Sequence, residues 1–198
     1  MNGCTILSAE EAEKLLDELI SRGPDIRSER RRQRNYTMAL LMLHAGLRVG
    51  EVARLQLKSI IFKGQVNKSV VVSKEIAKNK TERIIPMSNR LTTAIENLTA
   101  YLLAGPTLTD DSFVFSGGGS GQHISTRTIE RVITKAAMAS IGRAVHPHVL
   151  RHTFATRLIS TVNIRIIQEL LGHKSLSSTQ IYTHPNSVNL KAAIDTLN

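Results

Sequence analysis

The sequence predicts a mixed α+β domain, mostly α-helical, with one small three-stranded antiparallel sheet. Three observations lead there. Apolar residues recur at helical spacing near the start of the chain and again through its second half. Between them, residues 57–86 change to short β-rich runs separated by turn residues. A hydrophobic content of 41% over 198 residues is enough to build the core of one domain.

The elements follow in order. Ser8-Ala9-Glu10-Glu11 has capping-box spacing and opens a helix. Ala12, Leu15, Leu16, Leu19 and Ile20 give that helix one apolar face, and Gly23-Pro24 stops it. Arg27, Arg30, Arg31, Arg32 and Arg34 then crowd into eight residues. That run reads either as a grip on a nucleic-acid backbone or as a solvated charged turn. Residues 35–45 form a buried helix ended by Gly46. Arg48 stands at the junction with the next helix, and Glu51, three residues on, can hold it in one pose. The strand runs are Leu57 to Phe62, Val66 to Val72 and Glu82 to Pro86. Their turns are Lys63-Gly64-Gln65 and Lys78-Asn79-Lys80-Thr81, the second placing two lysines at a hairpin tip.

A helix from Ser88 to Ala104 is ended by Gly105-Pro106, and the apolar run Phe113-Val114-Phe115 leads to a glycine-rich loop, Gly117 to Gly121. This loop is not a phosphate-binding P-loop, because it lacks the Gly-Lys-Ser/Thr ending and no full strand precedes it. Ser125 or Thr126 caps a helix to about Ser140, with Ile129, Val132, Ile133 and Ala136 on its apolar face and Arg127 and Arg131 elsewhere on it. Pro147 begins the next helix, on which Leu150, Phe154 and Leu158 recur every four residues. Ile164 to Leu171 forms a short helix closed by Gly172, and His173 follows at once. Tyr182 lies in a polar stretch before Pro185, and the tail from Val188 to Leu197 can form one more helix.

Composition narrows the function classes. The net charge of +10, from 26 Lys plus Arg against 16 acids, favours a polyanionic partner such as nucleic acid. Cys4 is the single cysteine, which excludes an internal disulfide and a cysteine-based zinc site and fits a reducing cytoplasm. No apolar run reaches the ~20 residues of a membrane span, and no secretory pattern opens the chain.

The chemistry concentrates in His146-Pro147-His148-Val149-Leu150-Arg151-His152-Thr153-Phe154-Ala155-Thr156. His148 and Arg151 are three apart on a helix, so they project from the same side and can reach one bound group. A planar guanidinium beside an imidazole suits a phosphate with a proton to move nearby. Taken alone, the motif fits a capped helix N-terminus with a surface Arg equally well. Three further stretches lower that reading: Ala45-Gly46-Leu47-Arg48-Val49-Gly50-Glu51, the hairpin lysines with Lys78 eight residues before Pro86, and Leu170-Leu171-Gly172-His173-Lys174-Ser175 with Tyr182 nine residues past His173.

In this order, these stretches resemble the catalytic domain of the tyrosine recombinase (phage integrase) family, over nearly the whole chain. The resemblance implies a site-specific DNA recombinase of integrase or invertase type. Tyr182 would attack a DNA phosphodiester to give a 3′-phosphotyrosyl link and a free 5′-hydroxyl. Arg48 and Arg151 would clamp the non-bridging oxygens, Lys78 would protonate the departing 5′ oxygen, and His148 would take the Tyr182 proton. His173 would hydrogen-bond the phosphate, and Glu51 would orient Arg48 or His148 from behind. Lys80 competes with Lys78 as the acid and otherwise joins Arg27, Arg30, Arg31, Arg32, Arg34, Arg127 and Arg131 as a DNA contact. The roles make physical sense: a phosphodiester spreads extra charge over its oxygens in the transition state, so catalysis is electrostatic holding plus proton transfer. The link conserves the energy of the cut bond, so no ATP, cofactor or metal is expected. The histidines His146, His148, His152 and His173 lack the HExxH spacing of a metalloprotease.

The resemblance further implies double-stranded DNA with paired sites as the partner, a monomer that forms a homotetramer on DNA, accessory DNA-bending proteins, no membrane, and a location in the bacterial cytoplasm at the nucleoid. Two departures stand out. Gly50 occupies a position where the family usually has Ser. The chain is expected to be a single catalytic domain, 1–198, without the N-terminal DNA-clamping domain of most members, as a naturally short recombinase resembling the fimbrial invertases or as a fragment. Two rivals remain: a DNA-binding protein that keeps the fold without cutting, and a type IB topoisomerase, against which the wording around His148 and His173 argues.

Overall fold

The computed structural model describes residues 6–21, 26–103, 108–117, 121–159 and 161–173. Tyr182, the stops at Gly23-Pro24 and Gly105-Pro106, the middle of the glycine loop and the tail helix expected over 188–197 lie outside these described residues.

Helix α1 spans Ala9–Ile20 and opens as its sequence dictates. Ser8 Oγ accepts from the Glu11 N–H at 3.0 Å, and Glu11 Oε2 accepts from the Ser8 N–H at 2.9 Å. Ala12, Leu15, Leu16 and Leu19 are buried against helix α2, Ile26–His44. From Thr37 to Leu43, α2 is buried on every face, so it can only occupy the centre of the domain. Helices α1, α4 (Asn89–Leu103) and α6 (Pro147–Ile159) surround it.

The arginine run is not a turn, because α2 already begins at Ile26 and carries it. Arg and Gln lose little rotamer freedom in a helix, so the run propagates the helix it precedes. Gln33, buried among the arginines, fixes its orientation by donating from Nε2 to the Ala94 carbonyl on α4 at 2.9 Å.

After Gly46 and Leu47 the short helix α3, Val49–Ala53, turns away from α2. The expected three-stranded sheet is instead two separate two-stranded antiparallel ladders. One pairs β1 (Ile61–Phe62) with β2 (Gln65–Val66), and the other pairs β3 (Ser69–Val72) with β4 (Arg83–Pro86). The first expected strand is shortened because Leu57–Ser59 coils into a 3₁₀ turn. The Leu57 and Lys58 N–H groups donate to the carbonyls of Ser112 and Asp110, both at 2.9 Å, so this backbone is committed to the 110–114 segment. In the second ladder Val72 faces Arg83 and Val70 faces Ile85, which puts Arg83 on the buried side of β4.

Helix α5, Thr126–Ile141, starts at Ser125, whose Oγ accepts from the Thr128 N–H at 3.1 Å. Helix α7, Ile164–Leu171, ends at Gly172 in the left-handed conformation. Phe154, Ala155, Ile167 and Leu171 form a small second core between α6 and α7. Tyr36 and Tyr101 are each half-buried, and the Tyr36 hydroxyl accepts from Arg90 Nε at 2.8 Å. No helix among the described residues is long and apolar enough to cross a membrane.

Candidate active site

Glu51 is the hub, a carboxylate 1% exposed at the third position of α3. It reaches back to the residue before the helix. Glu51 Oε2 accepts from the Arg48 N–H at 2.8 Å, and Oε1 accepts from Arg48 Nη1 at 3.1 Å. Its opposite edge is held by Arg83, through Nη1 to Oε1 at 3.1 Å and Nη2 to Oε2 at 2.7 Å. Arg151 Nη1 stands 4.0 Å from Oε2. One carboxylate therefore faces three guanidiniums, and the neighbourhood is strongly positive. Burial pushes the Glu51 carboxyl up, yet the hydrogen bonds and charge of Arg83, the Arg48 N–H and the charge of Arg151 bring it below its ordinary value. Its hydrogen-bond partners are Arg48 and Arg83, so of the two residues it was expected to orient, it turns to Arg48 rather than His148.

Arg151, buried on the first turns of α6, is fixed by backbone. Nη1 donates to the Gly46 carbonyl and Nη2 to the Leu171 carbonyl at 2.8 Å. Only glycine fits at position 46, which sits at φ 62° and where a Cβ would run into the Phe154 ring. Arg151 Nη2 also lies 3.2 Å from His173 Nε2. A guanidinium only donates, so Nε2 is the acceptor and the ring proton belongs on Nδ1. Burial, then the charges of Arg151, Arg48 and Arg83, push the His173 pKa from 6.5 down to about 4, so the ring is neutral at physiological pH.

His173 is delivered by the end of α7. Its N–H donates to the Gln168 carbonyl at 3.0 Å, and Gln168 Nε2 donates to the His173 carbonyl at 3.1 Å. The Gly172 carbonyl in turn accepts from Asn79 Nδ2 at 2.8 Å. Asn79 thereby docks the β3–β4 connection, with Lys78 and Lys80 on either side of it, onto the His173 segment. Both lysines are exposed, and Lys80 takes a positive φ of 53°. His148 is exposed on the first turn of α6, while Arg151, one turn on, is turned inward. His152 has a pKa lowered first by burial and then by the charges of His148 and Arg151.

The structure thus links Arg48, Glu51, Arg151 and His173 in one chain of contacts, while Lys78 and His148 are exposed. Tyr182 lies outside the described residues. Sequence reasoning missed Arg83 and Asn79. A signal existed for Arg83: strand alternation places it on the same face as Ile85, where a charge must be paired to be buried.

The arginines expected to contact DNA divide. Arg30, Arg31, Arg127 and Arg131 are exposed, whereas Arg32 donates from Nη1 to Ser21 Oγ at 2.9 Å. Arg34 donates from Nε and Nη2 to Asn35 Oδ1 at 3.3 and 3.1 Å and is half-buried. Arg27 lies in the first turn of α2. Arg31, Arg32, Asn35, Arg131 and Lys135, with Glu18 of α1 among them, line one groove where α1, α2 and α5 meet. Lys135 is a further cation that the sequence reading left out.

The sequence profile of the Phage integrase family matches residues 5–188. A tyrosine recombinase of Pseudothermotoga lettingae is 36% identical over 154 residues, which cover 77% of this chain and 50% of that protein. The tyrosine recombinase XerA of Pyrococcus furiosus is 38% identical over 170 residues, covering 83% of this chain and 55% of the relative. The chain therefore spans about half the length of these relatives. The crystal structure of a XerA recombinase superposes with a TM-score of 0.74 at 30% identity, covering 98% of this chain and 63% of that one. The XerH site-specific recombinase bound to its difH substrate shares the fold, with a TM-score of 0.76 over 98% of this chain and 55% of that one at 23% identity.

Proposed function

Because the chain belongs to the phage integrase family, we propose that it is the catalytic domain of a site-specific tyrosine recombinase, which breaks and rejoins double-stranded DNA through a 3′-phosphotyrosyl intermediate. The observation that carries this reading is the Arg48–Glu51–Arg151–His173 cluster. It is a preorganised, largely buried set of anion donors tied to one carboxylate.

In this reading the scissile phosphate sits against Arg48 and Arg151. Arg48, whose side chain is 18% exposed, meets the phosphate from the surface, and Arg151 from below. Two planar forks suit two non-bridging oxygens. His173, neutral with its proton on Nδ1, adds a hydrogen-bond donor without adding charge. Each such donor is worth about 3–4 kcal/mol where water is excluded. Tyr182 attacks, His148 takes its proton, and Lys78 supplies the proton to the departing 5′ oxygen; Lys80 is the alternative donor. A phenol of pKa about 10 needs that base at neutral pH. The exposed Arg30, Arg31, Arg127 and Arg131 hold the flanking backbone, with Arg27, Arg32 and Arg34 as further contacts. Active molecules are tetramers across two paired sites, formed from monomers and aided by DNA-bending proteins. The reaction takes place in the cytoplasm, at the nucleoid.

The test is covalent trapping. Nicked duplexes carrying the DNA that flanks the coding sequence are incubated with the wild type and with Tyr182→Phe, without added metal, and resolved on a denaturing gel. A protein–DNA band formed by the wild type alone supports the reading. Tight binding of a duplex that never yields an adduct would assign the chain to non-cutting DNA-binding proteins instead.

A further inference from the structure

We propose that Arg83 is a positioning residue for the anion site, a clasp that sets the placement of Arg48 and His173 relative to each other. The inference rests on the recombinase reading and deepens it, since that reading assigns no role to this strand residue. Arg83 enters the site from β4 with its side chain 5% exposed. Its guanidinium contacts two separate segments at once. The Nη1 and Nη2 atoms grip both oxygens of Glu51, and Nε donates to the Leu170 carbonyl at 2.9 Å.

These contacts divide the work. Arg48 bonds one edge of the Glu51 carboxylate, so a second fork on the other edge fixes the carboxylate plane and with it the Arg48 guanidinium. On the other side, Leu170 and Leu171 carry the last carbonyls of α7, which have no partner inside the helix. Arg83 takes that of Leu170 and Arg151 takes that of Leu171. Two guanidiniums joined through Glu51 thus hold the helix end from which His173 emerges. The close approach is visible at Gly172, where a Cβ would sit 3.1 Å from Arg83 Cδ.

Stability alone does not account for the pair. Burying two ions costs several kcal/mol each, and a well-packed apolar pair in the same place is often as stable or more so. A hydrogen-bonded fork supplies what an apolar pair cannot, a fixed orientation for a neighbouring charge.

The test uses the full chain with Arg83→Lys and Arg83→Met. Lysine keeps the charge but cannot reach Glu51 and Leu170 together. Both variants should bind DNA within about twofold of wild type and form covalent adduct about 10²-fold more slowly, the loss expected for a misplacement near 1 Å. Wild-type adduct rates in a folded Arg83→Lys would overturn the proposal. So would failure of both variants to fold, which would make the clasp a folding element. A wild type that forms no adduct sinks the recombinase reading but still leaves Arg83 to be decided. In that case the His173 ring is titrated by NMR. A clasp moves the His173 titration upward in Arg83→Lys as well as in Arg83→Met. A merely electrostatic neighbour moves it in Arg83→Met alone, and that result too would overturn the proposal.

Discussion

Arg151 donates from Nη2 to Nε2 of His173 across 3.2 Å, so the acceptor face of the imidazole looks onto a permanent cation. Protonating that nitrogen would break the bond and set two positive charges side by side. The His173 pKa accordingly falls from 6.5 to about 4. The folded state therefore binds fewer protons than the unfolded state between these values, and stability rises with pH across that window. The contribution is complete above about pH 6.5 and is lost as pH falls toward 4. The expected result is a melting temperature that drops from pH 7 to pH 4, with a shallower drop in His173→Gln, read by circular dichroism. Equal slopes would show that His173 is not depressed.

Glu51→Gln removes the one carboxylate that Arg48 and Arg83 share, while leaving its shape. An amide cannot neutralise the buried Arg83, so the variant should lose about 3–5 kcal/mol in urea unfolding. Inorganic phosphate or sulfate, which fits the same donors, should restore part of that loss by binding the folded state. Unchanged stability would mean that water or relaxation compensates the arginines.

Gly46 and Gly50 predict opposite outcomes. Ala at 46 meets Phe154 at 2.4 Å and must adopt φ 62°, so Gly46→Ala should destabilise by more than about 1 kcal/mol and displace Arg151 from its carbonyl. At position 50 a Cβ meets only the end of Arg54, at 3.9 Å. Gly50→Ala should therefore stabilise α3 by about 0.5–1 kcal/mol. The departure from the serine usual at this position is thus a tolerated loss of helix stability rather than a requirement of the site. Thermal unfolding of both variants checks the pair.

Arg31 and Arg131 line one groove from two helices. If DNA backbone runs along it, Arg31→Ala and Arg131→Ala should each flatten the salt dependence of binding by about one charge in log–log slope. Lys58→Ala, which removes a lysine already paired with Asp111 at 2.6 Å, should leave the slope unchanged. Fluorescence anisotropy from low to high salt measures all three, and identical slopes would remove the groove from the DNA path.

What the sequence determined by itself is whatever is encoded within about one helical turn. The Ser8–Glu11 capping box, the Arg48–Glu51 pair, the Pro147 start of α6 and the Gly172 stop before His173 all follow from contacts three or four residues apart. The order of the motifs added the family and hence the fold. The remaining features come from packing between distant segments. The stretch 57–59 coils instead of extending, because its N–H groups find carbonyls at 110 and 112. The arginine run faces the way it does because Gln33, within it, donates to the Ala94 carbonyl on α4. Arg83 meets Glu51 across 32 positions and the Leu170 carbonyl across 87. The physical reason is common to all three: a charge or an N–H is committed by whatever group packing brings within 3 Å, and chain separation carries no record of that distance.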